Sequence, residues 1–148
     1  MEKTLQNYLN NLIGMKLEKI NLACQMIQLD FGKCNIHCQT FARIKKENDI
    51  LFTTYDYQSW DEKEDVNNDE WYFFNKYKKE IINGIVVKVL FSNTYDLTLI
   101  LDNGITIEIF VSNGYHHYVE EQEQWRFLID TKNGFHHFVI YNKHIETQ

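Results

Sequence analysis

The chain has 148 residues, 44% apolar and 15% aromatic, with a formal net charge of −6 and no proline. That composition provides for one core of ordinary domain size and excludes an intrinsically disordered chain. The acidic balance disfavours binding to phosphate backbones, and the one tight basic cluster, Lys76, Lys78 and Lys79, is too small to reverse it. No apolar run approaches the roughly 18 residues that span a bilayer. The opening MEKTLQNYLNNLIGMKL lacks the apolar core and small-residue cleavage site of a secretory signal. Cys24, Cys34 and Cys38 are an odd number without framework spacing. They fit a reducing compartment, so a cytoplasmic protein is expected.

In chain order, Leu5, Leu9 and Leu12 recur at helical spacing with Tyr8 beside them, and predict a short amphipathic helix over 3–12. Gly14 ends it. From Lys16 the period changes to two, first over 17–22 and then in Ile27, Leu29 and Phe31, a half-buried strand. Gly32-Lys33 turns into a strand over 34–40. Strands follow at 41–45 and 50–54, joined by Glu47-Asn48-Asp49. Residues 56–70 (DYQSWDEKEDVNNDE) form an acidic connecting stretch. Trp71, Phe74, Lys78 and Ile81 then line one face of a second helix, capped by Asn68 or Asp69 and closed by Asn83-Gly84.

The pattern after Gly84 repeats the pattern after Gly14. Seventy residues separate the two glycines, and at that spacing Leu12 meets Ile82, Leu17 meets Val87 and Ile20 meets Leu90. Ile27, Leu29 and Phe31 likewise meet Leu97, Leu99 and Leu101. Asp102-Asn103-Gly104 is a strong hairpin signal. Strands at 125–129 and 135–141, joined by Lys132-Asn133-Gly134, answer to 41–45 and 50–54. The expected fold is therefore α+β. Two pseudo-repeated units, about 1–55 and 69–142, would each hold a short helix and a mainly antiparallel sheet, share one core within a single domain, and be joined by 56–68.

Three groups of residues carry candidate chemistry. Cys34, His37 and Cys38, with distant Cys24, are zinc-type ligands. On a strand, however, Cys34 and Cys38 share a face with Ile36 while His37 points away, which favours core cysteines and no metal. Asn113-Gly114-Tyr115-His116-His117-Tyr118-Val119 is echoed by Asn133-Gly134-Phe135-His136-His137-Phe138-Val139. Four imidazoles could line a ligand pocket between the halves, although adjacent strand residues face opposite ways and two strands would have to pair in register. Asp61, Glu62, Glu64, Asp65, Asp69 and Glu70 form a solvated charge run in which Tyr55, Tyr57, Trp60, Trp71 and Tyr72 are interleaved. Aromatic anchors in an acidic surface suit docking of a basic protein. The candidate partner-binding residues are Tyr57, Trp60, Asp61, Glu62, Glu64 and Asp65.

No nucleophile elbow, phosphate loop or His-Glu-x-x-His motif occurs, and no catalytic residue or cofactor is assigned. Asp102 and Glu108 lack the following lysine that a nuclease would use. In Gln124-Trp125-Arg126, a buried Trp125 would turn Arg126 to the other face, where it should pair with an acidic neighbour.

The glycine-then-hairpin opening and the run Glu123-Gln124-Trp125-Arg126-Phe127 resemble small bacterial α+β proteins, some of them encoded beside polymorphic toxins as immunity proteins. The resemblance implies a non-enzymatic protein that neutralises its partner by binding. A small-molecule or metal-binding protein with a pocket at His116, His117, His136 and His137 is the alternative. A structural subunit would instead form a homo-oligomer with a large apolar interface.

Overall fold

A computed structural model describes residues 1–58, 76–114 and 121–148. The architecture is α+β: two antiparallel sheets and a few short helices. Helix α1 (Glu2–Leu9) runs into a 3-10 turn at Asn10–Leu12, and buries Leu5, Leu9 and Leu12. The strands are β1 (Lys19–Ala23), β2 (Met26–Asp30), β3 (Cys34–Cys38), β4 (Ala42–Lys46), β5 (Asp49–Thr53), β6 (Val86–Phe91), β7 (Leu97–Leu101), β8 (Ile105–Ile109), β9 (Trp125–Thr131), β10 (Gly134–Ile140) and β11 (Ile145–Thr147). Helix α2 (Thr54–Gln58) follows β5, and α3 (Lys78–Ile81) precedes β6. Among the described residues no helix is long and apolar enough to cross a membrane.

The order of the first sheet is β1-β2-β3-β9-β10-β11 and that of the second is β5-β4-β8-β7-β6. Each sheet thus joins a three-strand meander from one part of the chain to a hairpin from the other, and β11 extends the first sheet beyond its hairpin. The joins are long-range and antiparallel. Ile36 of β3 lies opposite Phe127 of β9, and Ile44 of β4 lies opposite Ile107 of β8. Alternation sets the faces: Cys34, Ile36 and Cys38 bury one side of β3 against Trp125, Phe127 and Ile129 of β9. The inner faces of both sheets form one apolar cluster. Trp125 ties the sheets together, with its indole N–H donating to the Tyr95 carbonyl at 2.9 Å and its ring edge-on to Phe91.

Where the two meanders begin, residues 14–17 and 83–86 bond reciprocally. Gly14 N donates to Val86 O and Asn83 N to Leu17 O, while Leu17 N donates to Gly84 O and Val86 N to Met15 O. Within these two segments the left-handed residues are Gly14 (φ 89°) and Asn83 (φ 74°). Leu17 and Val86 are buried, whereas Val87 and Leu90, which the expected spacing of 70 sets against Leu17 and Ile20, are exposed. The pairing of β6 with β7 is irregular between Val86 and Lys88, and Leu97, Leu99 and Leu101 stand as buried as Ile27, Leu29 and Phe31. Gly84 is needed for close approach instead: a Cβ there would meet the Asn103 side chain at 2.4 Å. That amide donates to the carbonyl of Ile81 at the end of α3.

Residue identity at Trp125 should dominate stability. Trp125→Phe strands the Tyr95 carbonyl and is expected to lower the unfolding free energy by about 1–3 kcal/mol. Trp125→Ala, which also opens a cavity, should cost about 3–5 kcal/mol. Urea denaturation followed by far-UV circular dichroism measures both; an unchanged stability in Trp125→Phe would show that the hydrogen bond contributes nothing.

Candidate functional site

Both passages of the chain from one sheet to the other lie at the same end of the molecule. Residues 39–41 connect β3 to β4, and 110–124 connect β8 to β9. Between them opens a cleft of about 590 Å3, walled among the described residues by 39–41, Thr54, Tyr55 and Gln58 of α2, 112–114 and 122–124. Its floor is fixed by buried polar groups. Gln124, 2% exposed, accepts from Ser112 N at 2.8 Å and donates to Gln122 O at 3.0 Å. Thr54 Oγ1 accepts from Ala42 N at 2.9 Å, and Thr40 Oγ1 donates to Ser112 Oγ. These bonds satisfy groups that would otherwise be buried without partners, and so hold the cleft open in one shape.

One rim is aromatic. Tyr55 is 72% exposed and rests on Phe41, with ring centroids 5.1 Å apart; Phe41 in turn lies 6.0 Å from Phe110. The Arg43 guanidinium stands 5.7 Å from the Phe110 centroid and pairs with Glu108 at 2.9 Å, and Lys45 reaches the same carboxylate at 2.8 Å. Burial pulls the Glu108 carboxyl upward, but hydrogen bonds and positive charge from Arg43 and Lys45 outweigh it and hold the group below the usual carboxylate range.

The other rim carries Glu123, which accepts from Gln39 and from Arg126. Arg126 faces away from the core, as the burial of Trp125 requires, and its acidic neighbour is Glu123. Across the outer face of the first sheet, Arg126 lies opposite His37 and approaches His137 Nε2 at 3.3 Å. Burial first, then the Arg126 charge, lowers the proton affinity of both imidazoles; His137 lowers that of His37 further, and Glu123 opposes the shift in each.

The residues singled out in the sequence separate. Tyr57 is half-buried and packs on the core, leaving its neighbour Tyr55 as the exposed aromatic. Trp60, Asp61, Glu62, Glu64 and Asp65 lie outside the described residues, as do His116 and His117. His136 turns inward to Tyr8, with its Nε2 3.2 Å from the tyrosine hydroxyl, whereas His137 is on the outer face. Those two histidines therefore line no common pocket. Cys34 and Cys38 are buried thiols with proton affinity raised by burial, that of Cys34 to about 12. Among the described residues no three His, Cys, Asp or Glu side chains are placed to hold a metal. Of the cleft residues, Asn113 opens the histidine motif 113–119, whereas Gln39 and Gln58 carry no motif; the amide-rich run Glu121-Gln122-Glu123-Gln124 is a further sequence signal. Comparison with protein-family models, curated proteins and solved structures finds no match for the chain.

The histidine cluster predicts a pH dependence. A histidine whose folded-state proton affinity lies below its unfolded value, about 6.5, contributes stability above that value and loses it as pH falls through the folded one. Chemical stability should therefore decline on acidification from about pH 7.5 to 5.5. The double substitution His37→Gln and His137→Gln should flatten the decline. Urea midpoints at the two pH values check this; an unchanged slope in the double variant would assign the dependence elsewhere.

Proposed function

We propose that this chain is a protein-binding module that neutralises a basic partner by covering it, as its resemblance to immunity proteins of polymorphic toxin systems implies. The observation that supports this reading best is the exposed ring of Tyr55, backed by Phe41 and Phe110 at the rim of an open cleft. A large aromatic side chain held to solvent by a rigid aromatic base loses little conformational freedom on binding. Tyr and Arg are also the residue types that dominate interface energies. The acidic sequence 56–70 begins directly after Tyr55, and the chain carries a net charge of −6. Opposed charge would accelerate encounter with a basic surface and disfavour acidic competitors.

Internal duplication belongs to the same proposal: two units, each with a helix, a three-strand meander and a hairpin, sharing one core. Its support is the reciprocal bonding of 14–17 with 83–86 and the matching strand orders of the two sheets. Arg43 and Arg126 add to it, since each is the second residue of its strand, faces outward and lies opposite a polar residue of the neighbouring meander, Glu108 or His37.

The test is to recover the full chain from its native host at modest salt, identify by mass spectrometry a protein held in stoichiometric amount, and measure its affinity for variants. Tyr55→Ser should weaken the complex about 30-fold, equivalent to about 2 kcal/mol, while Lys132→Ser in the distant β9–β10 turn should leave it unchanged. Equal affinity for Tyr55→Ser and the parent would remove this face from the interface. A stoichiometric metal or small molecule in place of a protein would overturn the function.

A further inference from the structure

The cleft beside Tyr55 has a lining of unusual chemistry for a protein interface. Its charged side chain among the described residues, Glu123, is already taken by Arg126 and Gln39, so the lining offers no free charge to an occupant. Its polar surface is instead built of primary amides. The buried amide of Gln124 is committed at both ends to the cleft floor. Gln58, Asn113 and Gln122 also line the cleft, and their side chains have no partner among the described residues. A primary amide is the neutral side chain that donates and accepts in one plane, the same pair of functions that a peptide unit presents.

The chain around these amides is also outside any ladder. The pairing of β8 with β4 and β7 ends at Ile109, after which Phe110 N donates to Phe41 O. Side chains then take over from strands: Val111 N donates to Asp96 Oδ1 and Ser112 N to Gln124 Oε1. Asn113 and Gly114 follow with no backbone partner among the described residues. Among the described residues, the cleft is thus a place where a sheet stops short and the main chain of 113–114 is unpaired, next to an aromatic platform.

We infer that this cleft takes an extended, uncharged segment of the partner polypeptide. Its peptide units would bond to the amides of Gln58, Asn113 and Gln122, and an apolar side chain would rest on Tyr55 and Phe41. The inference rests on the protein-binding reading and names the form in which the partner presents itself: as main chain in a cleft, the mode by which extended segments gain affinity from backbone bonds and specificity from side-chain seats. A neutral oligosaccharide also combines hydroxyl chemistry with aromatic stacking, and the experiment separates the two.

The full chain, labelled with nitrogen-15, is titrated with a pool of blocked, uncharged octapeptides composed of Ser, Thr, Gln, Leu and Tyr, and separately with maltotriose and N,N′-diacetylchitobiose. Peptide should shift the amide signals of 39–41, 54–58, 111–114 and 121–124, and the sugars should leave them in place. The double variant Asn113→Ala and Gln122→Ala should bind peptide about tenfold more weakly, with unchanged thermal unfolding. Shifts produced by a sugar and not by peptide would overturn the inference in favour of a glycan site, and no shift from either at millimolar concentration would overturn it outright. If the double variant binds the captured partner as tightly as the parent while Tyr55→Ser does not, the protein-binding reading stands and the cleft inference alone fails.

Discussion

Neither sheet of this protein can be completed from one half of its chain. β1, β2 and β3 need β9 to cover the free edge of β3, and β6, β7 and β8 need β4 to cover that of β8. An edge left open exposes a row of unpaired main-chain groups and one side of an apolar face, so the meanders complete their burial only when the hairpins from the other half arrive. The indole of Trp125 depends on the same exchange. It enters the core on β9, within the first sheet, and finds its acceptor at Tyr95, in the turn between β6 and β7 of the second. Such pairings close long loops before they are rewarded, which places folding among the slower, non-local topologies.

The site is a by-product of this arrangement. The chain must cross between the sheets twice, and the described parts of the crossings, 39–41, 112–114 and 122–124, lie side by side. Crossing segments leave the ladders, so their main-chain groups need side-chain partners, and Thr54, Ser112 and Gln124 fill that role. What remains is an open cleft whose one charged side chain among the described residues, Glu123, is already paired. The two outward-facing arginines show how the surroundings differ from one sheet to the other. Arg43 shares a carboxylate with Lys45, whereas Arg126 sits between imidazoles and takes its carboxylate from the cleft rim.

Much of the local structure was legible in the residues. The alternation Ile27, Leu29, Phe31 and the Asp102-Asn103-Gly104 turn mark strands and a hairpin because period and left-handed turn residues are encoded locally; Gly104 has φ 84°. The inward Cys34 and Cys38, the outward His37, and Arg126 paired with an acidic neighbour also follow from strand parity. The β1–β2 hairpin was not marked, because its turn places Cys24 (φ 53°) and Gln25 (φ 61°) in the left-handed region, where neither residue type is a usual signal. At the end of α3 the sequence offers Gly84 as the obvious punctuation, while the backbone turns left-handed at the asparagine before it. The cleft was the least legible part. Gln39, Gln58, Asn113 and Gln122 come together only through the pairing of β3 with β9 and β4 with β8, and no local pattern records which strands will meet.

The shared strand order has a consequence for a chain broken between β5 and β6. Each fragment would carry a meander and a hairpin that cannot pair with one another, because their partners lie on the other piece. The two pieces would therefore be complementary, each acting as the template on which the other folds, and their affinity would draw directly on the energy that stabilises the intact protein.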